Sequence, residues 1–380
     1  MSNFFNKLMA RHPATVSLDA LPRWANVLVL PLLNLLAAFG VAALVLLAVG
    51  ESPRECLKVV IDSALLSGNG LQFTLFYATG FIFTGLAVSL AIHGGLFNIG
   101  GEGQVYLAGL GVTLASFLAS GWPPVLAIPA ILIAAMVFGA AWAWLPGYLQ
   151  AWRGSHIVVT TIMFNFIAAS VMNYLLTTHL MAKGSQNVST IDFAQNTWVP
   201  SLVQIAHWFG MELAASPLNA SLLLALLCAT GFYWLVWRTR FGYELRTLGA
   251  NPDAAVYAGI PVKRMVVTVV CASGALSGLA AVNEISGSAH HMSLGFPNGV
   301  GFIGIAVALM GRNHPLGIIL SALLFGVLIQ GGLELSLANP NITNHLVYLI
   351  QGLIILFCGA LTYLFVPLLA RLNLLSAQGK

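Results

Sequence analysis

The chain has 380 residues, of which 59% are apolar and only 7% charged, with a mean hydropathy of +0.90. No water-soluble domain of this length has such a composition, so the sequence reads as an all-α polytopic membrane protein. A net charge of +4 makes no case for nucleic acid, because the basic residues lie in short loops between apolar runs.

Ten apolar segments approach spanning length: 26–49, 71–92, 105–120, 125–145, 157–178, 218–237, 265–285, 298–311, 315–337 and 345–368. The third and eighth are short, as half-helices would be. Residues 1–25 form a polar lead that runs straight into the first span with no small-residue cleavage site. This predicts an uncleaved first helix rather than a signal peptide. With that lead inside, twelve of the fifteen Lys and Arg residues fall on the inner side, and Arg54, Lys58 and Lys183 on the outer. The bias predicts one transmembrane domain over 26–370, with both termini, including the tail 371–380, in the cytoplasm. Cys56, Cys228, Cys271 and Cys358 are scattered, which argues against a disulfide framework and a metal site.

The outer stretch 51–69 opens with Ser52-Pro53-Arg54-Glu55, a capping box with Pro at the first helical position. Leu57, Val60, Ile61, Ala64 and Leu65 follow at helical spacing, which predicts a short amphipathic helix on the outer interface. After the second segment, Gly94 to Gln104 holds five glycines in eleven residues. Each glycine disfavours helix by about 1 kcal/mol relative to Ala, so a break inside the membrane is expected. Irregular backbone and ionisable groups survive there only when buried in protein or lining a wet cavity. Phe97, Asn98, Glu102 and Gln104 are therefore translocation-path candidates. The equal alternative is a packing joint, in which glycines let helices approach and polar groups bond across them. Glu102 is costly at this depth if ionised and free, so it is expected to accept bonds from nearby amides or hydroxyls.

The fifth segment carries Thr161, Asn165, Ala169, Asn173 and Thr177 at four-residue steps, which predicts one small, polar stripe. Asn165 and Asn173 join the path candidates. The outer loop 179–217, with Trp198, Pro200 and Trp208, is expected at the bilayer interface. The inner loop 238–264 contains a run with the chemistry of a deliberate short helix. Asn251 suits the N-cap, Pro252 the first position, Asp253 the positive helix end, and Gly259 the residue beyond the last turn. A mere connector needs none of this, whereas a knob that docks on another subunit does. Leu248, Gly249, Ala250, Asn251, Pro252, Ala254, Ala255 and Gly259 are assigned to that contact.

The second half echoes the first. Gly80-Phe81-Ile82-Phe83-Thr84-Gly85-Leu86-Ala87 precedes the first break, and Ser273-Gly274-Ala275-Leu276-Ser277-Gly278-Leu279-Ala280 precedes another interruption over 286–304. The two spans run in opposite directions, and paired interruptions in inverted halves point to a path at the membrane midplane. Asn283, Glu284, His290, His291 and Asn298 gather around the second interruption. Asn298 and Phe302 complete the path candidates. Two adjacent histidines without further ligands do not make a metal site. The sequence has no Gly-x-x-x-x-Gly-Lys-Ser/Thr loop, so the chain does not itself cradle ATP phosphates in the usual way.

These residues carry a family resemblance. The runs GLFNIGGEGQ (95–104), VVTTIMFNFIA (158–168) and LRTLGANPDAAVYAGI (245–260) are similar to permease subunits of bacterial ABC importers in the branched-chain amino acid, ribose and nucleoside superfamily. The match covers roughly residues 70 to 335 and most resembles the nucleoside and simple-sugar branch. Trp152-Arg153-Gly154-Ser155-His156 departs from that pattern, which has a Lys-rich lead and an acidic residue there. The resemblance implies a type II importer permease in the cytoplasmic (inner) membrane, paired with a second permease subunit of different sequence. It also implies two ATP-binding domains outside this chain, often fused in tandem, and an extracytoplasmic solute-binding protein. ATP and Mg would act at those partners, with no cofactor on this chain and no enzymatic activity of its own; 251–259 would be the coupling helix. The expected solute is a nucleoside or another nucleobase-containing molecule, which Phe97, Asn98, Gln104, Asn165, Asn298 and Phe302 suit through stacking and amide bonds. The alternatives are a pentose or a branched-chain amino acid on the same architecture, or an ion-coupled carrier titrating Glu102 or Glu284.

Overall fold

The computed structural model describes residues 29–356, apart from residues 185, 209, 211–213, 340, 344–345 and 355. The polar lead, the far part of the tenth segment, Cys358 and the tail lie outside them. Among the described residues every regular element is helical, and the only extended pairings are isolated bridges, Ser189 with Ser293 and Ser201 with Asn219.

In chain order the helices are α1 (Leu30–Ala48), α2 (Pro53–Ile61), α3 (Gly68–His93), α4 (Gly101–Leu118), α5 (Pro124–Arg153), α6 (Ile157–Leu175) and α7 (Leu202–Trp208). Then come α8 (Ser221–Arg238), α9 (Arg240–Ala250), α10 (Pro252–Tyr257), α11 (Val262–Ala281), α12 (Val300–Met310) and α13 (Pro315–Ala338). α2, α6 and α11 each run on into a wider π-helical stretch, Asp62–Leu66, Leu176–Leu180 and Val282–Ala289.

Six helices among the described residues are long and apolar enough to cross a membrane: α3, α5, α6 and α11 with their continuations, α8 and α13. A seventh appears if Leu36–Ala48 and Pro53–Leu66 count as one broken span. The ten expected spans are therefore not all present as full crossings. α12, with 11 residues, is about 16 Å long, half a bilayer core. The third segment differs from expectation in the other direction. It begins four residues early, inside the glycine run, and reaches 18 residues as α4.

The described chain forms two compact units, one within residues 58–335 and the other made of the described parts of 1–57 and 336–380. In the larger unit α3 is the central element, buried on every side from Ala78 to Ala91. Small residues set its distances to neighbours, since lipid supplies no hydrophobic force to drive apolar helices together. α5 and α11 come backbone to backbone, where a Cβ on Gly139 would lie 3.1 Å from Gly274 C and one on Gly278 3.1 Å from Ala135 C. In the smaller unit the Glu51 carboxylate accepts hydrogen bonds from Asn339 Nδ2 and Asn341 Nδ2, at 2.6 and 3.0 Å.

Two breaks organise the larger unit. α3 stops at His93, the chain turns through Gly95 (φ +71°), and α4 starts at Gly101. The α11 span ends at His290 (φ 60°), and an irregular stretch leads through Gly299 (φ +84°) into α12. α12 begins part-way along α3, where the Thr84 hydroxyl donates to Val300 O at 3.1 Å.

Candidate functional site

At the first break, 94–100, called inner because it lies on the side that carries the α9–α10 hairpin, the irregular backbone is held by neutral side chains. Asn98 is 1% exposed. Its Nδ2 donates to Ser273 Oγ at 2.9 Å and to Gln104 Oε1 at 3.3 Å. Its Oδ1 accepts from Gly100 N at 2.9 Å and from Gln104 Nε2 at 3.3 Å. Ser273 Oγ in turn donates a hydrogen bond to Ala87 O at 2.7 Å, which ties α11 to α3. From α6, Asn165 Oδ1 accepts from Gly103 N and its Nδ2 donates to Ile99 O, both at 2.9 Å, while Thr161 Oγ1 accepts from Ile99 N at 3.3 Å. A buried network whose members are all paired rigidifies its surroundings.

The second break, 290–299, called outer by contrast, is held by a carboxyl group from the start of α4. Glu102 Oε1 accepts from Gly299 N and Oε2 from Gly301 N, both at 2.8 Å. A carboxylate bonded to the first amides of a helix satisfies donors that have no intrahelical partner and complements the positive helix end. Glycine is required here for closeness: a Cβ on Gly301 would lie 2.5 Å from Gly101 C and 2.6 Å from Glu102 Cα. α4 and α12 thus begin side by side. Just outward, Tyr106 OH accepts from Gly295 N, and its ring stacks on Phe296 with centroids 5.4 Å apart.

The structure divides the path candidates into two groups. Asn98, Gln104 and Asn165 meet in the buried joint, and Glu102 caps α12 beside it. Phe97 is half-buried, Phe302 is 48% exposed, and Asn298 is exposed in a left-handed conformation (φ 45°). The polar stripe expected along the fifth segment does not hold together. Thr161 and Asn165 point into the bundle, whereas Ala169, Asn173 and Thr177 are exposed. Four-residue steps advance about 40° each on a helix of 3.6 residues per turn, so by Thr177 the row has swung about 160°, to nearly the opposite face. Ser273 and Thr161 were not among the sequence candidates. The signal for Ser273 lay in the Ser-Gly pair that opens the second-half echo.

On the cytoplasm-assigned side, Asn251 Oδ1 accepts from Asp253 N at 2.9 Å and Ala254 N at 3.2 Å, and Gly259 has φ +74°. Val256 and Tyr257 project outward at 62% and 93% exposure. Leu248 and Ala255, assigned to the outward contact, are instead buried within this chain. The α9–α10 hairpin bears on the inner break itself: a Cβ on Gly249 would lie 2.9 Å from Gly95 N, and one on Gly95 3.1 Å from Gly249 Cα.

Residues 70–359 match the family described as "Branched-chain amino acid transport system / permease component". Among curated relatives, the glucose ABC transporter permease protein TsgB13 of Haloferax volcanii is 32% identical over 86% of this chain and 86% of its own length. The guanosine ABC transporter permease protein NupP of Bacillus subtilis is 32% identical over 88% of this chain and 93% of its own. The nucleoside ABC transporter permease protein NupB of Lactococcus lactis is likewise 32% identical, over 86% of this chain and 89% of its own. With three-quarters of its length matched to the family and the paired helix breaks at its centre, this chain belongs to the branched-chain amino acid transport system permease components of ABC transporters.

Proposed function

We propose that this chain forms the translocation path of an ATP-driven importer whose solute is a nucleoside or a related nucleobase-containing molecule. The observation that carries this reading is the 32% identity to guanosine and nucleoside permeases along nearly the whole of each chain. The path runs past Phe97, Asn298, Phe302 and Asn173, with Asn98, Gln104 and Asn165 behind it as the joint and Glu102 as the link between halves. Partner ATPase domains, fused or separate, hydrolyse ATP with Mg, and a second permease chain completes the membrane core. An extracytoplasmic binding protein delivers solute to the outer face. The whole sits in the inner membrane with ten spans, half-helices included, and both termini in the cytoplasm.

Coupling follows from the hairpin. The exposed residues Ala250, Asn251, Pro252, Ala254, Val256, Tyr257 and Gly259 dock on the ATPase, and Gly249 presses on Gly95 at the inner break. Motion of the docked hairpin is passed into the break, and the path changes the side to which it opens.

A second reading, a simple sugar on the same architecture, is favoured by the equal identity to the glucose permease. Proteoliposomes containing the permease pair, the ATPase and the binding protein separate the two. With Mg-ATP inside and the proton gradient collapsed, saturable guanosine uptake is expected. Glucose uptake without guanosine uptake would replace the first reading by the second. Transport that stops with the gradient despite ample ATP would overturn both.

A further inference from the structure

Glu284 lies in the π-helical stretch Val282–Ala289 that ends the α11 span. Its two neighbours set its direction. Asn283 turns to α3, its Nδ2 donating to Phe76 O at 3.3 Å. Ile285 turns to α4, its Cδ1 2.9 Å from where a Gly109 Cβ would sit. The intervening side chain of a helix projects between these directions, so Glu284 faces the space between α3 and α4. It is half-buried, and among the described residues its carboxyl group has no hydrogen-bond or ion-pair partner.

The same face of α11 carries Ser277 two turns inward and Ser273 a further turn in. Ser273 belongs to the Asn98 joint. Ser277 Oγ is unpartnered in a residue only 1% exposed, and it lies 3.6 Å from the Cβ position of Gly101, where α4 and α12 begin. Over about 10 Å of helix, one face thus offers a hydroxyl and a carboxyl group with unused bonding capacity. A carboxyl group inside a membrane domain is costly unless something pairs with it. Glu102, which is paired twice over, shows how this chain treats a carboxylate that has only a structural role.

We infer that Glu284 is the path's contact for the hydroxyl groups of the solute, accepting hydrogen bonds from two neighbouring hydroxyls. This inference rests on the permease reading above and narrows it. Two carboxylate oxygens match a vicinal diol in reach and number. Vicinal hydroxyls are also what glucose and guanosine have in common, whereas a nucleobase is not. For a nucleoside the groups concerned are the ribose 2′ and 3′ hydroxyls.

The test is uptake of uridine against 2′,3′-dideoxyuridine by the reconstituted transporter, wild type and Glu284→Gln, at subsaturating solute. The wild type is expected to prefer uridine about tenfold or more, the discrimination given by a buried acceptor left without its hydroxyl partners. Glu284→Gln is expected to bring the ratio within about twofold by lowering uridine uptake alone. A wild type that carries both solutes equally, or a ratio that survives in the variant, overturns the inference, whether both rates fall together or neither changes. A second measurement needs no variant: labelling of Glu284 by a hydrophobic carbodiimide, located by peptide mass, is expected to be slowed by uridine and not by dideoxyuridine. Equal labelling in the two solutes overturns it. If the wild type carries glucose and no nucleoside, the nucleoside reading fails. Glucose against 2,3-dideoxyglucose then tests Glu284 in the same way, a preference lost in the variant supporting its role and a preference kept overturning it. A transporter that carries only leucine removes both ideas.

Discussion

The inner and outer breaks solve the same problem with different chemistry. Each starts a helix inside the membrane domain and leaves backbone amides without carbonyl partners. At the inner break, Gly100 N and Gly103 N find the carbonyl oxygens of Asn98 and Asn165, so the closure is neutral and shared among several side chains. At the outer break, Asn298 is turned out to the surface, and Gly299 N and Gly301 N depend on Glu102, 197 and 199 residues away in sequence. The inner break is therefore a rigid joint with distributed support. The outer one is a close backbone contact between α4 and α12 in which two capping amides depend on a single side chain, Glu102.

The comparison can be broken at its tightest point. Gly301→Ala places a Cβ against the backbone of Gly101 and Glu102, which cannot yield without separating α4 from α12. A loss of about 3 kcal/mol or more is expected, read as the largest fall in thermal midpoint of the purified protein in detergent. Gly299→Ala meets no atom within 4 Å and strains only a left-handed φ of +84°, so about 1–2 kcal/mol is expected. Equal midpoints for the two variants would mean that the helix starts are not in the close contact described.

Asn98→Ala tests whether the inner joint is as stiff as its bonding suggests. It leaves Gly100 N without an acceptor and the Gln104 amide without either partner, for a cost of about 3 kcal/mol in the same assay. A loss under 1 kcal/mol would show that water or a neighbour replaces Asn98 readily. A smaller effect than that of Asn98→Ala is expected from Glu102→Gln, which keeps one acceptor but sets an amide N–H against a backbone N–H. About 2 kcal/mol is expected, from loss of one charge-assisted bond of the pair. A wild-type midpoint would show that charge is not what distinguishes the outer break.

Much of this was legible in the residues because it is local. The glycine run after Ala91 marks a helix stop whatever packs around it, and Asn251-Pro252-Asp253 encodes its own cap within three residues. Apolar length likewise marked α3, α5, α8 and α13. Helix register was less secure. The drift of a four-residue row sends Asn173 outward while Asn165 turns in, and only the direction of α6 against its neighbours shows where the turn falls. The distant partners, Ser273 for Asn98 and the first amides of α12 for Glu102, and the lack of one for Glu284, could not be identified from the chain. They depend on which helices come together across nearly two hundred residues, and in an apolar solvent that choice is made by the fit of small residues such as Gly101 and Gly301, which no local pattern records.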